Sequence, residues 1–354
     1  PGTPGDGTAA APAANATPTP ARGTVILVGA VGKSAAFARQ LADATATLHV
    51  QAPRILHAAT LDEAIDLQNH PSAPFGRGEA LHSLDPTEVE HWLARVEGAD
   101  LFVNAAITPA VVGRRPTGGG RRSSSGPSMK ADGPNALLSL GRWHAEPSPA
   151  SPDLGLGTLD PKVRELIDAA TAGLDWQQFD FARRGALSDH EAFTAQFAAR
   201  DVAGLGVERN VLRHRPEPVV IRLSEGEPLE LLVRILAAGT RARASLGVST
   251  ALKLPRPLRA LLKERRVRVF VENDEAWLER AAKVGDGPSR IRMIGGSPSA
   301  LSEALGGSLD VAVWAGDVTT AGRVELLPFL SEQTVTVTNH RFSGPSPLGE
   351  VRIG

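Results

Sequence analysis

A few short stretches hold side chains of types that could do chemistry. Gly29–Ser34 (GAVGKS) has the look of the end of a phosphate-binding loop, where glycines tolerate positive φ and let backbone amides turn onto phosphate. Leu27 stands where the first Gly of that pattern belongs, so the stretch reads as an ordinary strand-to-helix turn. Ser123–Ser125 offers three hydroxyls but no Gly-x-Ser-x-Gly elbow, which leaves a serine hydrolase without support. The nine His do not cluster: His190-Glu191 is not followed by His at zinc-protease spacing, and a helix start separates His82 from His91. There is no Cys, which excludes disulfides, thiolate zinc sites and a thiol nucleophile within these residues. No Gly-x-Gly-x-x-Gly follows any apolar run, so no dinucleotide fingerprint is present. Arg256–Arg268 interleaves Leu and Val among its cations and reads as one solvated face.

Whatever these residues do, a soluble scaffold must position them. At 354 residues the chain is long enough for two or three compact units, with an ordinary 42% hydrophobic and 22% charged composition. No apolar run reaches the ~18–20 residues of a membrane span, and no signal peptide opens the chain. The formal charge of −1 gives no electrostatic case for a nucleic-acid partner. Only six of the 38 cations are Lys and Tyr is absent, a bias that suggests a GC-rich genome. The chain begins with Pro1 and not Met, which reads as an incomplete or processed chain.

Residues 1–21, rich in Pro, Ala, Gly and Thr, read as a disordered tail or linker. Thr24–Ala30 is a buried-strand pattern, and Ser34–Ala42 looks helical. Arg54–Ala58 and Gly78–Leu84 follow as strands. Thr60–Asn69 is a helix with Thr60 and Glu63 as a capping box, and Asp85 caps Pro86–Glu97. Asp100–Ala105 is again strand-like. The Gly- and Ser-rich loop within Thr108–Ser151 breaks the pattern, and Pro147–Gly157 is the best domain boundary. Beyond Arg215, apolar runs at Val219–Leu223, Ser245–Ser249, Val267–Val271, Ile291–Ile294 and Val311–Trp314 alternate with helical segments, the signature of a doubly wound parallel sheet. Thr334–Thr338 alternates with period two, so one face should meet a core and the other solvent, as in an arm that pairs with something.

Thr60–Asn69 (TLDEAIDLQN), Leu81–Asp85 (LHSLD), Glu88–Val96 (EVEHWLARV) and Asp100–Asn104 (DLFVN), in that order, resemble the C-terminal part of the aldehyde dehydrogenase superfamily. Ile107–Pro116, Gly118-Gly119, Arg121–Ser124, Gly126-Pro127, Lys130-Ala131 and Gly133–Asn135 narrow this to the L-glutamate γ-semialdehyde (1-pyrroline-5-carboxylate) dehydrogenases, in particular those of the bifunctional proline utilization A proteins. Val207–Asn210 (VERN), Arg213–Pro216 (RHRP), Gly322–Leu330 (GRVELLPFL), Glu332–Val335 and Asn339–Phe342 (NHRF) resemble the C-terminal domain and terminal motif of the long members.

The resemblance implies an α/β protein: a partial aldehyde-dehydrogenase-like lobe over 22–144, a linker with a helix over 145–180, and a Rossmann-like parallel-sheet domain with a terminal β-arm over 181–354. It implies a cytoplasmic, NAD-dependent oxidation of L-glutamate γ-semialdehyde to glutamate. The implied partners are a small aldehyde substrate, a proline dehydrogenase module or subunit, and further copies of the chain. It makes Thr108, Pro109, Ala110 and Thr117 the substrate-anchor loop, and Leu326, Leu327, Phe329, His340 and Phe342 an assembly arm. The departures are as informative. The family's Cys nucleophile and the Glu that holds the nicotinamide ribose are missing, as is the NAD-binding half. Pro109 has no N–H where a Gly amide should meet the substrate carboxylate, and Thr117 replaces an aromatic. The expectation is a chain with no catalytic residue of its own, a fragment or a decayed relative, with a non-catalytic scaffold or lid as the alternative.

Overall fold

The computed structural model describes residues 24–29, 35–47, 53–70, 78–107, 111, 114–119, 129–141, 143–145, 155–201, 203–283, 289–341, 344–345 and 347–354. The expected tail 1–21, the Gly29–Ser34 turn beyond Gly29, Thr108–Ala110, Ser123–Ser125 and Phe342 lie outside them. The chain forms two compact units, residues 1–67 and 68–354.

In the first unit, β1 (Thr24–Val28) runs parallel to β2 (Arg54–Ala58), with α1 (Ala35–Thr47) between them in sequence. The acid-rich first turn of α2 (Leu61–Asn69) is capped as expected: Glu63 N–H donates to Thr60 Oγ1 at 3.2 Å. The Glu63 carboxylate reaches back to the Ala59 N–H, one residue beyond the reciprocal box, at 2.7 Å.

Two five-stranded sheets dominate the second unit. One is all parallel. Its strands are β7 (Val219–Leu223), β8 (Leu246–Thr250), β9 (Arg268–Val271), β10 (Arg290–Ile294) and β11 (Ala312–Trp314). They lie in the order β11-β10-β7-β8-β9, so the chain starts in the middle and winds outward both ways, as the alternation of apolar runs and helices predicts. Strand side chains alternate between faces. Ile221 and Leu223 belong to a core shared with α6 (Leu229–Arg241) and α7 (Arg256–Glu264), whereas Val220 and Met293 pack with Trp277 of α8 (Asp274–Lys283) and Leu301 of α9 (Pro298–Ala304). On α7 the leucines point inward and Arg256, Arg259 and Lys263 are exposed, the solvated face the sequence suggests.

The second sheet joins distant parts of the chain. It contains β3 (Gly78–Leu81), β4 (Asp100–Val103), β5 (Arg200–Asp201), β6 (Glu208–Pro216) and β12 (Leu330–Thr338), ordered β3-β4-β12-β6-β5. Helix α3 (Pro86–Arg95) connects β3 to β4, started by Asp85, whose carboxylate takes the Thr87 N–H at 2.8 Å. Two expectations change here. The terminal strand is no free arm: it lies between β4, parallel, and β6, antiparallel, with both faces covered. Thr334 and Thr336 are buried because they are paired: Thr334 Oγ1 donates to Asp100 Oδ1 at 2.7 Å, and Thr336 Oγ1 to Asn210 Oδ1 at 3.0 Å. Because β12 bridges the segments on either side of 147–157, that stretch does not divide the structure into compact units. Within 145–180, α4 (Pro161–Ala170) buries Val163, Leu166, Ile167 and Ala170 in the core that also contains residues of α5 (Trp176–Ala192) and α6.

Candidate functional site

Of the expected anchor loop, the described residue is Thr117. It is zipped to the turn 129–135: Thr117 N–H donates to Asp132 Oδ1 and Ala131 N–H donates to the Thr117 carbonyl, both at 3.0 Å. Lys130, fully buried, fastens this turn to the sheet from two sides. Its ammonium donates to Asp100 Oδ1 at 2.5 Å and to the Ala99 carbonyl at 2.8 Å, and reaches the Gly118 carbonyl at 3.4 Å. Its backbone N–H donates to Glu332 Oε2 on β12 at 2.5 Å. The other Glu332 oxygen accepts from Asn135 Nδ2 at 2.8 Å.

His214 completes the cluster. It stands opposite Glu332 in the β6–β12 register. One ring nitrogen, Nδ1, lies 3.0 Å from the Phe197 carbonyl and the other, Nε2, lies 3.3 Å from Asn135 Nδ2. The Phe197 carbonyl is available because α5 ends in a single π-helical turn, Phe193–Phe197, and the Phe197 ring meets the imidazole edge-on at 4.8 Å. Burial favours the neutral form of the Glu332 carboxyl, but the His214 ring, the Lys130 amide and Asn135 outweigh it and hold Glu332 below its ordinary range. Burial pushes the Lys130 ammonium down, with Asp100 pulling the other way.

The glycines of this region are there for space. A Cβ on Gly118 would lie 3.1 Å from Lys130 Cα, and one on Gly133 would lie 2.9 Å from Lys130 Cβ. The flanking arginines serve a different neighbour. Arg213 donates to Gln333 Oε1 at 2.7 Å and to the Leu93 carbonyl at 2.5 Å, and Arg215 to the Val96 and Ala94 carbonyls at 2.7 and 3.2 Å. Two guanidiniums thus meet the negative end of α3; burial, with the Arg215 charge adding to it, pushes Arg213 down to about 10. In the RHRP stretch, alternate residues of one strand therefore bind a helix terminus and the polar cluster on opposite faces.

Sequence reading singled out Thr117 but gave Lys130, Asn135, His214 and Glu332 no role beyond their place in recognisable motifs. The expected assembly residues lie elsewhere: Leu326, Leu327 and Phe329 are buried in the core of the second unit. His340 begins β13 (His340–Arg341), which pairs with β14 (Gly344–Pro345). The cleft beside Pro116, Asn210 and Thr334 has no enclosed room even for a water molecule, so it is not a small-molecule pocket. Among the described residues no cluster of His, Asp or Glu is placed to hold a metal, and no helix is long and apolar enough to cross a membrane.

The parallel sheet has a topological switch point between β7 and β10, where such folds hold dinucleotides. Its residues do not fit a pyrophosphate. Arg222 of β7 is engaged by Asp274 at 2.6 Å and by Ser249 Oγ at 2.7 Å, and Asp274 and Glu225 each accept the other's backbone N–H. Glu227 packs against Gly295, where a Cβ would lie 2.3 Å from its carboxylate. The mouth is thus filled and lined with carboxylates, which repel phosphate.

No family model and no curated protein matches the chain. Among solved structures it is similar to proline utilization A (PutA) from Corynebacterium freiburgense: 32% identity, TM-score 0.61, covering 82% of this chain and 26% of that one. The chain thus spans about a quarter of that protein's length. Looser overlaps, covering 44% of this chain, are with a mutant proline utilization A from Bradyrhizobium japonicum (17% identity, TM-score 0.33, 19% of that chain) and with succinic semialdehyde dehydrogenase from Streptococcus pyogenes in complex with NADP+ (9%, 0.34, 39%). Over most of its length this is a PutA-like chain of the aldehyde dehydrogenase superfamily.

Proposed function

We propose that the chain forms the aldehyde-anchoring and sealing part of an NAD-dependent dehydrogenase that oxidises L-glutamate γ-semialdehyde to glutamate in proline catabolism. The observation that carries this reading is the convergence of Lys130, Asn135, His214 and Glu332, drawn from four separate family motifs, on one buried cluster that fixes Thr117. The nicotinamide would accept hydride from the aldehyde carbon. With no Cys in the chain and a switch point unsuited to pyrophosphate, both the thiol and the dinucleotide site would come from residues beyond this sequence. In this reading the enzyme is cytoplasmic, works beside a proline dehydrogenase module and assembles as a homo-oligomer.

The filled switch point and the interior position of β12 also favour a second reading, a scaffold or lid without a substrate contact. A chimera separates the two. This chain replaces the matching quarter of the Corynebacterium freiburgense protein, and NADH formation from glutamate γ-semialdehyde is followed. The dehydrogenase reading expects measurable turnover that rises when Pro109→Gly and Thr117→Phe are introduced, since one restores an amide donor and the other a ring. No turnover from a soluble chimera, with or without those changes, selects the scaffold.

A further inference from the structure

Glu332 belongs to the terminal strand, yet its bonds to Lys130 and Asn135 end on residues 202 and 197 positions earlier. It is 4% exposed, and its two oxygens hold the two ends of one turn: the Lys130 N–H at the start and the Asn135 amide at the finish. Inside that turn Gly133 N–H donates to the Lys130 carbonyl at 3.0 Å. A Cβ at Gly133 would lie 3.3 Å from Glu332 Oε2, so the turn is pressed onto the carboxylate. The turn in turn holds Thr117 at both its N–H and its carbonyl. The route from β12 to the candidate loop is therefore two hydrogen-bonded steps long.

Only a carboxylate suits both ends. It offers acceptors at each oxygen, whereas an amide offers one acceptor and one donor. Asn135 uses one amide hydrogen toward Glu332 and faces His214 Nε2 with the other, so turning it to suit an amide at 332 breaks its contact with His214. We infer that Glu332 is a positioning residue, which sets the 129–135 turn from the terminal strand and, through Thr117, the loop that holds the aldehyde. The last step rests on the function proposed above; the first does not.

The test is amide hydrogen exchange, read by NMR on the full chain carrying Glu332→Gln. Loss of a hydrogen bond to a charged acceptor predicts roughly tenfold or faster exchange at Lys130, Ala131 and Gly133, with Thr117 following. Amides of β7 to β11 should keep their rates. Unchanged rates at the four amides, or equal acceleration everywhere, overturn the clamp. Should Glu332→Gln not fold, Asn135→Ala cuts one arm only; it should accelerate the same amides by a smaller factor, and unchanged rates overturn the inference equally. In the chimera, Glu332→Gln should raise KM for the aldehyde more than it lowers kcat. Faster exchange with an unaltered KM would sink the aldehyde reading and leave the clamp standing. A raised KM with unaltered exchange would sink the clamp.

Discussion

Replacing Lys130 with Met keeps the unbranched stem and deletes the ammonium. The carbonyls of Ala99 and Gly118 lose a donor, and Asp100, 5% exposed, keeps only the Thr334 hydroxyl among its side-chain donors given above. Removing one partner of a buried ion pair costs about 3–5 kcal/mol, because the other charge stays behind in a low dielectric. The surviving Thr334 bond at 2.7 Å places Lys130→Met near the lower end, about 3 kcal/mol. Asp100→Asn should cost a similar amount, since the ammonium is then left with carbonyl oxygens alone. Together the two changes remove both charges and keep an acceptor for Thr334, so the double variant should lose only about 1–2 kcal/mol. Urea unfolding of the wild type, both single variants and the double variant gives the four free energies, provided the denaturant slope is constant. Single-variant losses that sum to the double-variant loss within about 0.5 kcal/mol would refute the coupling, and with it the ion pair as the anchor of the turn.

Three further outcomes are expected. Gly133→Ala puts a methyl 2.9 Å from Lys130 Cβ and should cost about 1–3 kcal/mol in urea unfolding, with the loss confined to this turn in hydrogen exchange. Gly185→Ala in α5 puts Cβ 2.1 Å from Nε of Arg234, whose guanidinium is held by Asp189 at 2.7 and 2.9 Å; displacing it should cost about 3–5 kcal/mol, and a loss under about 1 kcal/mol contradicts the packing. Because the Glu332 carboxyl is held below its ordinary range, its contribution is complete above the unfolded glutamate pKa of ~4.3 and is lost as pH falls through the lower folded value. The stability gap between wild type and Glu332→Gln should therefore narrow in acid, and urea midpoints showing a constant gap from about pH 6 to about pH 3 would count against it.

The parallel sheet was legible because each of its strands carries its own evidence. Val219–Leu223 is apolar but for Arg222, the pattern of a strand covered on both faces, and helical segments separate it from the next runs. The second sheet was not legible in the same way. Alternating Val and Thr in residues 334–338 reads as a half-exposed strand, since no local pattern reveals that Asp100 and Asn210 wait to bond those hydroxyls. The polar cluster is harder still. Its members come from a strand, a turn, a second strand and the terminal strand, so spacing along the chain says nothing of their meeting. Motif resemblance marked Lys130, Asn135, His214 and Glu332 without giving them work; burial and geometry supply it.

The insertion of β12 between β4 and β6 bears on the order in which the chain can become a protein. Thr334 lies 234 positions beyond the Asp100 it bonds. During synthesis β4 and β6 are finished long before the strand that joins them, and at ~5–20 residues per second the wait from Pro216 to Leu330 is roughly 5–25 s. Throughout that interval two strands each carry an unpaired edge, in a chain whose parallel sheet can already form from contiguous units. Open edges of this kind recruit other chains. A message broken before residue 330 would accordingly yield a split sheet, and the nascent chain's need for chaperones should persist from residue 216 to residue 330 and ease as β12 emerges.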